Sequence, residues 1–404
     1  MGRYLIIADD FTGANDTGVQ LKKRGITTEV IFNIDKMRNP NNSYVIDTES
    51  RGLTEHEAYD KVKDSIKNLN SYEFQFIYKK VDSTLRGNIS AEVKAIDEEY
   101  EPDIIIFSPA FPEIGRTTLN GIHRLNGIRI IETELSKDPK KPVIEDNISN
   151  LIKKFFSEKV IHYNISDIRE EKMNFNNGRI YSFDVENSDD MIRIVSNVLV
   201  TGKKTLWVGS AGMADTILKI KNPLKPSIAV VGSISDVSIK QLRYAENSGI
   251  NILKLPIDKV LIGEKEDYYI DYAVNLLSKD KDLIITSTYD RNDYEKAIIV
   301  GKDMKMTSEE VSQYTESILG NILDKIMEKS EVSGVFLTGG DTAISFINKT
   351  GSICSNIIEE IMPGIPLMKL KGGKYHGLKI ITKAGAFGEK NAISYCMKKI
   401  KEDL

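Results

Sequence analysis

The chain of 404 residues has little of what most often announces a chemistry. Its two cysteines, Cys354 and Cys396, lie far apart and support neither a disulfide framework nor a thiolate metal cluster. The four histidines (His56, His123, His162, His376) are scattered, with no HExxH, which argues against a zinc hydrolase. No GxxxxGK[ST] occurs, so a P-loop kinase is excluded at motif level, and the GxGxxG of dinucleotide folds is missing too. "VVGSISDVSIKQ" starts like that fingerprint, then places serines where glycines belong. "VGSAG" mimics half of a GxSxG elbow with the wrong spacing, so Gly209, Ala211 and Gly212 read as a closely packed strand-to-helix turn. No apolar run reaches membrane-spanning length, and "MGRYLIIADD" holds too short a run for a secretion signal. A cytoplasmic enzyme with no membrane partner is the expectation. The net charge of −4 leaves no basic footprint for nucleic acid, so any anionic ligand must meet locally placed cations.

The composition that remains, 41% hydrophobic and 28% charged, is that of an ordinary globular protein. The length exceeds what one core usually organises, which favours two domains. Apolar runs such as "YLIIA", "SYVIDT", "FQFIYKKV", "DIIIFSP" and "TLWVGS" alternate with helical patterns in the first half. "IAVVGS", "INILKL", "DLIITS", "GVFLTGG" and "LKIITKAG" do so in the second. Residues 55–69 and 311–327 carry apolar stripes at helical spacing. Continuous apolar strands separated by helices predict α/β architecture: two domains with mostly parallel sheets covered on both faces. Two prolines in "KNPLKPS" mark the seam, giving domains 1–226 and 227–404.

Charge and glycine gather where the strands end. "ADDFTGANDTG" places Asp9, Asp10 and Asp16 after the first strand. One helix cap accounts for one acid, with Asp16 or Thr17 capping a helix that runs through "GVQLKKRG"; it does not account for adjacent like charges. "YKKVDSTLRGN" brings Lys79, Lys80, Asp82 and Arg86 out of a strand together, a mixture suited to an anion. "SPAFPEIGRTTLNGIH" offers Arg116 on a loop stiffened by prolines. In the second half "GSISDVSIKQ", "FLTGGDTAIS" and "ITKAGAFGEKNAI" are glycine- and serine-rich turns entering helices, where backbone N–H groups cradle phosphates. "PGIPL" and "KGGKYHG" read as further backbone-exposing loops.

Taken in order, "ADDFTGANDTG", "KKVDSTLRGN", "PAFPEIGRTT", "VGSAGMA", "VVGSISDVSIKQ", "LTGGDTA", "MPGIPL" and "KAGAFGE" resemble the four-carbon acid sugar kinases along nearly the whole chain. Ser238 stands where a threonine is common, which keeps the hydroxyl, and residues 124–180 are the least family-like. The resemblance implies an N-terminal sugar-acid-binding domain and a C-terminal nucleotide-binding domain. It implies ATP-dependent phosphorylation of the terminal hydroxyl of a tetronate (D-threonate, D-erythronate or a 3-oxo-tetronate) to the 4-phosphate. It places the sugar acid among Asp10, Lys80, Asp82, Arg86 and Arg116. ATP phosphates fall on Ser233, Ser235 and the turn Gly339, Gly340, Asp341 and Thr342, with Gly385 near the nucleotide. Mg²⁺ should bridge the β- and γ-phosphates, with no protein ligand assigned. Asp10 is taken as the base, since adjacent acids raise one another's pKa, with Asp9 and Asp16 orienting hydroxyls or Mg²⁺; sequence does not rank the three. The partners expected are the small sugar acid and, as an open option, a second copy in a homodimer. Two other readings stand beside this one: a non-catalytic sensor of sugar acid and nucleotide, and a dehydrogenase on a degenerate dinucleotide fold.

Overall fold

In the first strand, alternate residues enter different cores. Leu5 and Ile7 join one buried cluster and Tyr4 and Ile6 another, so the strand must be apolar on both faces. The computed structural model, which describes residues 3–139 and 141–402, repeats this pattern in two compact units, one extending to Pro223 and one running from Leu224. The first unit holds β1 (Tyr4–Ala8), β2 (Thr28–Ile31), β3 (Ser43–Asp47), β4 (Phe76–Lys80) and β5 (Ile104–Ser108). The short strands β6 (Arg116–Leu119), β7 (Ile122–Leu125) and β8 (Ile128–Arg129) follow, then β9 (Val160–Tyr163), β10 (Ile180–Phe183) and β11 (Thr205–Gly209). Eight of these form one parallel sheet in the order β2-β3-β1-β4-β11-β5-β10-β9. β6, β7 and β8 make a separate antiparallel sheet. The stretch expected as a stiff loop around Arg116 is therefore partly strand.

The second unit contains β12 (Ser227–Val231), β13 (Asn251–Lys254), β14 (Leu283–Thr286), β15 (Gly334–Thr338), β16 (Cys354–Met362), β17 (Ile365–Lys371) and β18 (Lys379–Lys383). Their order is β13-β14-β12-β15-β18-β17-β16, parallel except that β17 pairs antiparallel with both neighbours. "PGIPL" is thus no free loop: Pro363 and Gly364 turn a hairpin and Ile365 opens β17. β16 is nearly all exposed, so burial imposes no alternation on its sequence.

Both parallel sheets reverse direction of growth beside their first strand. β1 lies between β3 and β4, and β12 lies between β14 and β15. A crevice opens beyond the carboxyl ends of the strands at such a point, where ligands bind in open α/β sheets. The first helix starts earlier than expected. Asp10 is its N-cap, accepting from Gly13 N at 2.9 Å, and the helix runs Phe11–Lys22. Asp16 therefore sits exposed inside that helix and caps nothing.

His123 on β7 ties the small antiparallel sheet to the turn after β4. Its Nε2 lies 2.8 Å from Ser83 O and its Nδ1 2.9 Å from the Thr118 hydroxyl. A carbonyl only accepts, so Nε2 carries the proton and Nδ1 accepts from Thr118. Burial pushes the imidazole down to about 4, against the pull of the Ser83 carbonyl. The unfolded chain takes up this proton near pH 6.5 and the folded chain near 4, so stability is complete above the first value and lost as pH falls toward the second. His123→Gln should remove about 2 kcal/mol of that acid sensitivity, read as the difference between variant and wild-type urea denaturation at pH 7 and pH 4.5. Identical pH dependence in the two proteins would contradict this.

Candidate functional site

In the first unit the crevice beside β1 is lined from three strand ends. Asp9 and Asp10 follow β1, Glu49 and Arg51 follow β3, and Arg86 follows β4. The cavity, about 300 Å³, is completed by Phe11, Gly52, Asp138 and Lys141. Parallel pairing brings Ala8 beside Asp47 and Lys80, and backbone bonds continue past the strands. Thr48 N reaches Ala8 O at 3.0 Å and Arg51 N reaches Asp9 O at 3.1 Å.

That placement resolves the two adjacent acids. Arg51 grips Asp9 with both sides of its fork, Nε to Oδ2 at 2.7 Å and Nη2 to Oδ1 at 2.9 Å. Its third nitrogen, Nη1, reaches Asp10 Oδ2 at 2.7 Å. Burial works against the guanidinium charge, and the Asp9 hydrogen bonds outweigh it, so its pKa lies above the usual range. The two acids differ in access: the Asp9 side chain is 2% exposed and that of Asp10 is 28% exposed. Asp9 anchors; Asp10 faces the cavity.

The β4 end supplies the remaining charges. Asp82 Oδ2 accepts from Arg86 Nε at 2.5 Å and from the Thr84 hydroxyl at 2.6 Å. Burial raises the Asp82 pKa, but these bonds prevail and hold it below the ordinary carboxylate value. Arg86 also approaches Asp138, 3.6 Å away. Burial depresses the Lys80 ammonium, opposed by Asp9 and Asp82. A Cβ on Gly13 would stand 2.7 Å from Asp10 Oδ1 and 3.2 Å from Lys80 Nζ, so only a glycine there lets both groups share one corner. Lys79, the next residue back, points to the opposite face of β4 and spends its charge inside the core, 2.7 Å from Glu92. Glu92 also accepts from Ser50 at 2.7 Å, which braces the turn that carries Arg51.

In the second unit a cavity of about 410 Å³ opens at the corresponding crevice. Ser233, Ser235, Gly339, Asp341 and Thr342 all line it. Ser235 caps the helix Asp236–Asn247, and Gly339, at φ 97°, turns the chain into the helix Gly340–Thr350. Two helix N-termini, each the positive end of a dipole, therefore border one cavity. Gly340 lies between two lining residues. Gly385 packs so closely that a Cβ would stand 2.3 Å from Ser233 Oγ, and its carbonyl accepts from Ser235 Oγ at 2.8 Å.

Two predicted residues are not brought together with the rest. Asp16 stands exposed six residues beyond Asp10 on the same helix, and Arg116 donates to Ile114 O of its own loop and lines neither cavity. Ser210 is buried, caps the helix Ala211–Lys221 and donates to Ala110 O at 2.8 Å, a packing role. Sequence reasoning missed Arg51, Glu49 and Lys141 in the first cavity, and Thr288, Thr315 and Glu316 in the second. The signal for Arg51 was a charged strand end, "SYVIDTESRG", of the kind recognised elsewhere. Thr315 and Glu316 flank an apolar stripe that alone explains their helix.

Removing the fork leaves Asp9 buried and unpaired. Arg51→Met should cost about 3 kcal/mol of stability, the scale for breaking a buried pair. Adding Asp9→Asn should return at least half of that loss in chemical denaturation; losses that simply add would contradict the pairing.

Comparison with known proteins agrees with this division. Residues 4–217 match the sugar-binding N-terminal domain family and residues 228–393 the nucleotide-binding C-terminal domain family. A D-threonate kinase of Salmonella typhimurium is 28% identical, with 99% of each chain covered. A D-erythronate kinase of Heliobacterium modesticaldum is 24% identical over 98% of this chain and 97% of its own. A crystal structure of a Bordetella bronchiseptica protein, a domain-swapped dimer with bound citrate, superposes with a TM-score of 0.66 at 23% identity, covering 99% of this chain and 98% of that one. Among the described residues no helix is long and apolar enough to cross a membrane. The chain belongs to the four-carbon acid sugar kinases, two-domain phosphotransferases that use a nucleotide to phosphorylate a hydroxyl group of a sugar acid.

Proposed function

We propose that the protein transfers the terminal phosphoryl group of ATP to the terminal hydroxyl of a tetronate, giving the 4-phosphate. The acceptors are D-threonate, D-erythronate or a 3-oxo-tetronate. The observation that carries this reading is the first cavity, where Asp10, partly exposed, shares a small polar space with Arg51, Arg86 and Lys141. A four-carbon acid presents a carboxylate for the cations and a hydroxyl for Asp10. Arg86 supplies a planar fork for that carboxylate. Asp10 accepts the proton of the terminal hydroxyl as its oxygen bonds the γ-phosphorus and ADP leaves. Asp9 acts through Arg51, fixing the guanidinium that orients Asp10. Lys80, held beside Asp10 with a depressed ammonium, and Asp82, which orients Arg86, complete the acceptor site. Asp16 and Arg116 do not line this cavity and are given no role in this reading.

ATP phosphates lie on Ser233, Ser235 and the turn Gly339–Thr342, with Gly385 behind them. Among the described residues no group of three His, Cys, Asp or Glu could hold a metal by itself. Asp341 and Glu316 do line the nucleotide cavity, and burial together with Asp341 holds the Glu316 carboxyl above its ordinary pKa. Those oxygen donors suit Mg²⁺ arriving with the nucleotide, which would neutralise phosphate charge. We also infer a homodimer, supported by the edge strand β16 and its exposed Ile357 and Ile358.

An ADP-release screen across four-carbon sugar acids, with the matching sugar alcohols as controls, tests the activity. Turnover with at least one tetronate and none with the alcohols is expected. Equal turnover of acid and alcohol would contradict the cationic wall. Arg86→Lys should weaken sugar-acid binding by about 1–3 kcal/mol, the range of charged hydrogen bonds, and leave KM for ATP unchanged.

A further inference from the structure

Lys383, the last residue of β18, is 3% exposed and faces no carboxylate at ion-pair distance among the described residues. Its ammonium donates only to main-chain carbonyls: Ala384 O and Gly385 O at 3.0 Å and Phe387 O at 3.2 Å. Other side chains pull the same loop inward. Ser235 and Ser238 donate to Gly385 O at 2.8 and 3.0 Å, and Gln241 Nε2 reaches the carbonyls of Phe387, Gly388 and Glu389 at 2.8–3.1 Å. With its carbonyls so engaged, the loop leaves the amides of Gly385, Ala386 and Gly388 without a protein acceptor among the described residues. Gly385 lies against Ser233, which lines the nucleotide cavity.

A buried ammonium without a counter-ion costs several kcal/mol, and carbonyl dipoles recover only part of it. Burial accordingly pushes its pKa down to about 8, opposed by the Cys396 thiol. The thiol is itself pushed up to about 12 by burial and so supplies no negative charge at neutral pH. No carboxylate or thiolate among the described residues therefore balances this charge.

We propose that Lys383 is a positioning residue for the nucleotide polyphosphate, tying the carbonyls of residues 384–387 inward and lending the cavity a buried positive charge that the phosphates complete. This rests on the nucleotide reading of the second cavity. It assigns Lys383 no contact with the reacting atoms.

Calorimetric titration of wild type and Lys383→Met with ATP, ADP and adenosine tests it. The methionine keeps the length of the stem and removes the charge. ATP and ADP affinities should fall at least tenfold and adenosine affinity should stay within twofold. The melting temperature should be unchanged or raised, since an apolar group replaces a buried charge. Lys383→Gln, which keeps a polar donor without the charge, carries the same test if the methionine variant does not fold. ATP affinity within twofold of wild type in a folded variant would overturn the proposal alone, as would an equal loss for adenosine. Absence of ATP binding to the wild-type protein would overturn the nucleotide reading itself.

Discussion

Two carboxylates about 4 Å apart at an effective dielectric near 20 repel by about 4 kcal/mol, a large fraction of what holds a domain together. Asp9 and Asp10 are consecutive, so the fold must either protonate one or put a cation between them. It does the second. Arg51 spends two nitrogens on Asp9 and the third on Asp10, and can do so because β3 runs parallel beside β1 and its following turn hydrogen-bonds back to Asp9. The Lys79–Glu92 pair and the Ser50 hydroxyl beneath that turn keep it in place. The opposing demands on the acids are thereby divided: one is buried as an anchor, the other is left with an accessible face.

The two units solve their binding problems at the same topological position with different vocabularies. Where β1 and β4 diverge, the first unit sets side-chain charges of both signs, suited to a small acid with hydroxyls. Where β12 and β15 diverge, the second sets serine hydroxyls, helix N-termini and a backbone loop, suited to phosphates. Each unit also ends a strand with a buried lysine whose ammonium donates to the carbonyl after it: Lys80, on β4 beside β1, to Val81, and Lys383, on β18 one strand beyond β15, to Ala384. Burial depresses both ammoniums. Lys80 has acids nearby to oppose that effect, whereas no carboxylate among the described residues stands at ion-pair distance from Lys383.

The strand-end turns were legible because alternating apolar runs announce the strands, and a parallel sheet sends all its carboxyl ends to one edge. Asp9, Asp10, Lys80, Asp82 and Arg86 could be grouped without knowing the strand order. Arg51 stands beyond a strand end of the same kind, but its pairing with both acids depends on β3 being the neighbour of β1, and pairing order leaves no local mark on the sequence. Arg116 also has a local setting, an arginine on a proline-rich turn, that looks like a binding loop, and its guanidinium donates one bond to the loop's own Ile114 carbonyl without lining either cavity described above. Asp16 or Thr17 is expected to cap a helix running through "GVQLKKRG", yet the helix begins at Phe11 and Asp10 caps it. The hairpin β16–β17 left no signal because an exposed edge strand has no buried face to pattern.

The division of labour between the adjacent acids is open to one direct comparison, the steady-state kinetics of Asp10→Asn and Asp9→Asn with saturating ATP and a turned-over tetronate. Asp10→Asn should lower kcat by roughly two to four orders of magnitude, the usual scale for a lost general base, with KM for ATP unmoved. Asp9→Asn, which loosens the grip on Arg51 and touches no reacting atom, should lower kcat less and lower the melting temperature more. Near-wild-type turnover of the Asp10 variant, or a larger loss of kcat in the Asp9 variant, would contradict the account.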